Sequence, residues 1–146
     1  MNALRNLSSE IVFMALAIWR ESRGECREAQ EAVAMCIINR VQSPKWWGND
    51  ILSVIFKAWQ FSSITDPRDK QLIIWPSLKL QSWQLATEIS YKAIKGMIKH
   101  PAPNSDSYFD DSIKRPNWAT DKNFVKKIGK LNFHNIDNDY EKVENL

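Results

Sequence analysis

The sequence predicts a mainly α-helical single domain that carries a long loop or small hairpin near its C-terminus. Three observations carry this. The chain has 146 residues, near the usual size of one domain. Apolar residues recur at three- and four-residue spacing in several stretches. Only four Gly and six Pro interrupt the chain, and no internal repeat is present. With 44% of residues hydrophobic, one sizeable core is available, and 25% charged residues is ordinary for a globular protein.

The elements follow in order. A first helix starts near Ser8 or Ser9, both good N-cap types, with Glu10 favourable in the first turn. Its stripe is Ile11, Met14, Ala15, Ile18 and Trp19, and Gly24 is its C-terminal stop. A second helix runs from about Arg27 to Val41 on Ala29, Ala32, Val33, Cys36 and Ile37, and Pro44 ends it. Asp50 caps a third, with Ile51, Val54, Ile55 and Ala58 inward. Residues 60–76 read as irregular, with a short extended piece at Leu72–Trp75. A long helix from Ser77 to about Lys99 buries Trp83, Ala86, Ser90, Ala93, Ile94 and Met97. Residues 101–120 form a long loop or small hairpin, a type of segment that often carries function in a compact domain. A short helix over Asp121–Ile128, stopped by Gly129, and an extended segment Leu131–Asn135 complete the domain, 1–136. Residues 137–146 form a polar acidic tail.

Composition narrows the function. The net charge of +3 is too mild to require nucleic acid and suits approach to an anionic polymer such as a cell wall. Seven Trp is high for this length, so four or five fill the core and the rest line a cleft. Cys26 and Cys36 make no metal spacing with His100 or His134, and Cys36 reads as a buried free thiol on an apolar face. The apolar run Ile11–Trp19 is too short for a membrane span, and it leads into Arg20 and Glu21 rather than a signal-peptide cleavage site. The expectation is synthesis in the cytoplasm without a signal peptide.

The chemistry concentrates in Glu21-Ser22-Arg23-Gly24-Glu25, at the junction of the first two helices. A carboxyl following Ile18 and Trp19 is open to desolvation. Desolvation raises its pKa and fits it to act as a general acid. Glycoside cleavage usually employs two carboxylates, and Glu21 with Glu25 would supply a pair. Spacing alone favours the plainer reading, that both are surface helix-end residues paired with Arg20, Arg23 or Arg27.

The run from Glu21 to Glu25, then Ala32-Val33-Ala34 and Ile37-Ile38-Asn39-Arg40-Val41, resembles the spore-cortex-lytic cell wall hydrolase family typified by SleB. The likeness continues through Gln60-Phe61-Ser62, Pro116-Asn117-Trp118-Ala119, and Ile128-Gly129-Lys130 with Phe133. Two departures are Ser22, where family members often carry Ala, and Leu131-Asn132, where they often carry His. The resemblance implies a lysozyme-like fold related to soluble lytic transglycosylases, with Glu21 as the single essential acid and then base. It implies cleavage of peptidoglycan glycan strands between N-acetylmuramic acid and N-acetylglucosamine, with a 1,6-anhydro product and no cofactor or metal. Ser22, Glu25, Gln60, Phe61, Tyr108 and Trp118 are the substrate-binding candidates. Against these roles stand loop bracing for Gln60, packing for Tyr108 and a core anchor for Trp118. Asn39 and Arg40 read as structural residues ending the second helix.

Three other readings compete. A zinc amidase needs about three protein ligands including His, and only His100 and His134 exist. A hydrolytic muramidase would position water with Glu25 or Asp66. A non-enzymatic glycan- or nucleic-acid-binding module would use Trp46, Trp47 and the lysines. The expected partner is the glycan strand, met by a monomer, without nucleic acid or membrane. A leaderless basic domain of this size also fits a phage endolysin released to the wall by a holin.

Overall fold

The computed structural model describes residues 2–42, 47–57 and 61–137. Five α-helices precede a small antiparallel sheet: α1 Asn2–Ser22, α2 Arg27–Gln42, α3 Ile51–Ile55, α4 Ser62–Thr65, α5 Gln81–Ile94, then β1 Ser107–Asp110, β2 Phe124–Ile128 and β3 Leu131–His134. A 3-10 helix, Lys70–Ile73, lies between α4 and α5. Gln60, Trp46 and the tail from residue 138 lie outside the described residues.

The helical stripes become the main core. Met14, Ala15, Ile18 and Trp19 of α1 pack with Ile37 of α2, Ile51, Val54 and Ile55 of α3, and Ala86, Ile89 and Ala93 of α5. Polar ties fix the packing: Ser90 Oγ donates to Ile11 O at 2.7 Å, and Trp19 Nε1 donates to Ser82 Oγ at 2.9 Å. A second, smaller cluster joins Ala29, Ala32, Val33 and Cys36 of α2 to Ile128, Leu131 and Phe133 of the sheet. Tyr108 packs against both clusters.

α2 matches the sequence expectation closely, whereas α3 matches at its start but ends at Ile55, and Ala58 lies outside the described residues. Asp50 caps α3, accepting from Ser53 N at 2.8 Å. Elsewhere the boundaries move. α1 reaches back to Asn2, because Ala3, Leu4 and Arg5 are good helix formers and the serine caps go unused. It ends at Ser22, and Gly24 is not in the left-handed region that a glycine stop would take. α5 is shorter at both ends than Ser77–Lys99. Ser77 forms a turn instead, accepting from Leu80 N, and Gly96 at φ 73° closes a Schellman motif. Its two bonds are Met97 N to Lys92 O and Gly96 N to Ala93 O. Met97 is therefore exposed rather than buried.

Two expected elements are corrected. Leu72–Trp75 is not a strand: Asp69 caps the 3-10 turn, and Arg20 engages the carbonyls of Leu72 and Ile74, acceptors that a strand would offer to a neighbour. Residues 121–128 are not a helix, because Phe124–Ile128 is β2, paired antiparallel with β3. Strand order is β1-β3-β2. Ile128 faces Leu131 across the Gly129-Lys130 turn, and Gly129 at φ 59° supplies the conformation this tight hairpin requires. β1 pairs with β3, from beyond β2 in the chain, rather than with a neighbour within 101–120. Of the seven tryptophans, Trp46 and Trp59 lie outside the described residues. Trp19 and Trp47 are buried, Trp83 is intermediate, and Trp75 and Trp118 are exposed.

Candidate active site

Glu21 sits in the last turn of α1, at the floor of a cleft of about 450 Å³. One wall is helical and holds Glu21, Arg40, Phe61 and Ser62. The other is the sheet, with Tyr108, Phe109, Asp110 and Leu131, and the loop residues Ile113, Pro116 and Trp118 form the rim. The register puts Tyr108 and Asp110 on the same face of β1, two residues apart.

The Glu21 carboxyl is desolvated, which pushes its pKa up to about 7. Three smaller influences act on it. Ser63 Oγ donates to Glu21 Oε1 at 3.3 Å and lowers it, Asp69 raises it, and Arg40 lowers it. Ser63 is held in turn by Arg20, whose Nη1 donates to Ser63 O at 2.9 Å. Burial, and next the Glu21 charge, push the Tyr108 hydroxyl well above its ordinary value, so it stays protonated as a donor. A carboxyl that titrates near neutrality beside polar donors in an open cleft can both give and take a proton there.

The structure brings together Glu21, Phe61, Tyr108 and Trp118, and it does not bring Ser22 and Glu25 to the cleft. Ser22 is buried, with its hydroxyl donating back to Ile18 O at 2.7 Å. Glu25 lines a separate groove with Gly24, Asp111 and Lys130, where its carboxylate accepts from Lys130 N at 3.4 Å under the β2–β3 turn. Asp66, the other candidate second carboxylate, pairs with Arg68 at 3.2 Å and is not part of the lining. Asp110 is the second acidic residue that lines the cleft. Phe61 is buried with its ring facing the Arg40 guanidinium, and Trp118 meets Phe109 and His134 edge-on. Gln60 lies outside the described residues.

Ser63 and Arg40 were not legible as site residues. For Arg40 a signal existed: it continues the buried stripe Ala29, Val33, Cys36, so a charge falls on an apolar face. The histidines are engaged elsewhere. His100 contacts Ser105 O and Ala102 N, and His134 Nδ1 contacts Asn123 Oδ1 at 2.6 Å. Among the described residues no group of three His, Cys, Asp or Glu is arranged to hold a metal ion, and no helix is long and apolar enough to cross a membrane.

Comparison with known proteins bears on this cleft. The chain is 29% identical over 123 residues to the spore cortex-lytic enzyme of Bacillus subtilis, and 33% identical over 122 residues to that of Bacillus cereus. Each match covers 84% of this chain but only 36% and 42% of those relatives, so the chain spans well under half their length. Two solved catalytic domains share the fold. The germination-specific lytic transglycosylase SleB of Bacillus anthracis gives a TM-score of 0.68 at 33% identity, covering 86% of this chain and 93% of that one. The SleB catalytic domain of Bacillus cereus gives 0.69 at 32%, covering 87% and 90%. The family pattern described as Cell Wall Hydrolase matches residues 24–134, beginning just after Glu21, so the case for that residue rests on the geometry above. With most of its length under that pattern and its mainly helical, lysozyme-like fold shared with both SleB domains, the chain belongs to the cell wall hydrolase family.

Proposed function

We propose that this chain cuts peptidoglycan glycan strands between N-acetylmuramic acid and N-acetylglucosamine, as a lytic transglycosylase that leaves 1,6-anhydro ends. The observation that carries the reading is the Glu21 carboxyl, desolvated at the floor of an open cleft and titrating at about 7. At neutral pH such a group is populated in both forms. The acid form gives its proton to the glycosidic oxygen as the bond to C1 of the muramic acid breaks. The carboxylate left behind takes the proton of the C6 hydroxyl, and that oxygen closes on C1 of the same ring. One proton leaves Glu21 and one returns. The nucleophile is tethered, so no positioned water is needed. The substrate's own N-acetyl oxygen supports C1, so a second protein carboxylate is not required.

The cleft's other residues suit this substrate. Tyr108 offers a neutral hydroxyl beside Glu21, and Trp118 at the rim offers a partly exposed ring to a sugar. That a similar solved domain from Bacillus anthracis is described as a lytic transglycosylase supports the same reading. One observation favours a hydrolytic alternative: Asp110 lines the same cleft and is available to orient water.

Digestion of purified peptidoglycan by the wild type and by Glu21→Gln, with the products weighed, tests the reading. Anhydro ends from the wild type and none from the variant are expected, the anhydro product being lighter than a reducing end by one water. Reducing ends that disappear in Asp110→Asn would establish the hydrolytic alternative. Equal digestion by wild type and Glu21→Gln would refute the role of Glu21. Binding to peptidoglycan without turnover by either form would make the chain a binding module.

A further inference from the structure

Arg40 is a buried cation, 5% exposed, that makes no direct ion pair among the described residues. Its Nε donates to the backbone oxygen of Asp106 at 2.6 Å, and its guanidinium stacks on Trp47 at 4.3 Å and Phe61 at 5.1 Å. Nη1 is buried and has no hydrogen-bond partner among the described residues. A guanidinium placed this way is costly, and ring faces and one carbonyl offset only part of the cost.

The groups around it show what the charge serves. The Asp106 carboxylate accepts from the backbone N–H groups of Ile136 and Asp137. The Asp137 carboxyl is pushed up to about 7 by burial and by Asp106, with Arg40 acting the other way as it does on Glu21, and it accepts from Trp47 Nε1. The Cys36 thiol is pushed up to about 12 by burial and stays neutral. On the cleft side Arg40 shares the lining with Glu21, which also faces Ser63, Asp69 and Tyr108. Of these groups, Glu21 is the one that must become negative and then neutral again in each turnover.

We propose that Arg40 is a positioning residue of this cleft: its unpaired buried guanidinium stabilises the Glu21 carboxylate that proton donation leaves behind. The catalytic use of that charge rests on the function proposed above, whereas the coupling between the two side chains does not. Burial makes Glu21 a good acid reservoir but a poor place to leave a negative charge. Arg40 corrects the second half of that problem. Its share is smaller than that of burial, so it trims the proton affinity rather than setting it.

The test is a carboxyl-carbon NMR titration of Glu21, with its signal assigned by its loss in Glu21→Gln. All samples carry Asp137→Asn, which removes the other carboxyl titrating near neutrality beside Arg40. Arg40→Met is expected to raise the Glu21 midpoint by about half a unit to one unit, roughly a three- to tenfold rise in proton affinity, and Arg40→Lys to hold it near the parent value. A folded Arg40→Met whose Glu21 midpoint does not move overturns the proposal, as does Arg40→Lys moving as far as Arg40→Met. A second readout needs no change at Arg40. The Arg40 Nε–H resonance should shift with the Glu21 midpoint and stop doing so in Glu21→Gln, and a resonance flat through that midpoint overturns the proposal whether or not Arg40→Met folds. Activity separates the two readings. Coupling with undiminished digestion by Glu21→Gln removes only the proposed function, and loss of digestion without coupling removes only the role of Arg40.

Discussion

The hydroxyl of Ser63 reaches Glu21 Oε1 at 3.3 Å, while the carbonyl of the same serine is held by Arg20, the residue before Glu21. Two consecutive residues of α1 therefore grip one residue of α4. Arg20 fixes where Ser63 stands, and Ser63 adjusts how tightly Glu21 keeps its proton. The clamp is tertiary, since the partners are 42 and 43 residues apart.

Removing the hydroxyl isolates its share. A hydrogen bond to the charged form lowers a carboxyl pKa, so Ser63→Ala raises that of Glu21. The alkaline limb of the pH–rate profile should move up by about half a unit to one unit, and the plateau rate should fall about three- to tenfold. Rates across pH 5.5–9, roughly bracketing the neutral midpoint, decide it; an unmoved limb contradicts the assignment.

Glu21 also has a cost in stability, with a definite sign. Its folded pKa of about 7 lies above the ordinary 4.5, so the native state holds this proton more tightly than the unfolded chain. The penalty is absent below the ordinary value, grows as pH rises between the two, and is complete above about 7. Glu21→Gln should therefore become progressively more stable than the wild type across that window, by up to about 3 kcal/mol at its upper end. Urea midpoints at acid and mildly alkaline pH measure this, and parallel curves would rule it out.

Arg20 supports three backbone carbonyls, those of Ser63, Leu72 and Ile74, from a buried position. Arg20→Ala leaves these acceptors without their donor and should cost about 3 kcal/mol or more in denaturant unfolding. Arg20→Lys cannot reproduce the fork of donors and should recover only part of the loss. Full stability in either variant would show that the clamp is dispensable.

Trp118 is 37% exposed at the rim and meets its neighbours edge-on. Trp118→Ala should lower kcat/KM on peptidoglycan about tenfold through a higher KM, with little change in Tm. A large drop in Tm with unchanged kinetics would make it a core anchor instead.

What could be read from the chain was what local periodicity encodes. α2 came out within a residue of its ends, and Asp50 was legible as a cap because capping is decided within four residues. β2 was not, because Phe-Val-Lys-Lys-Ile is compatible with a helical turn and becomes a strand only through pairing with β3. Glu21, Phe61, Tyr108 and Trp118 were named from sequence and share one cleft. Ser22 and Glu25 belong to the motif that carries the family resemblance, yet the helix end turns both side chains elsewhere. Ser63 was missed because nothing local says which distant residue a helix end will meet.

Tyr108 touches both the large helical cluster and the small cluster beneath the sheet, so the groove lies where two apolar clusters that share α2 meet. The sheet side of the groove rests on the smaller of the two clusters. Trimming Val33 or Phe133, neither of which faces a sugar, would slacken one bank and spread the distance between Glu21 and the opposite wall. Damage in that small cluster should thus surface as poor turnover at temperatures where the helices still melt normally.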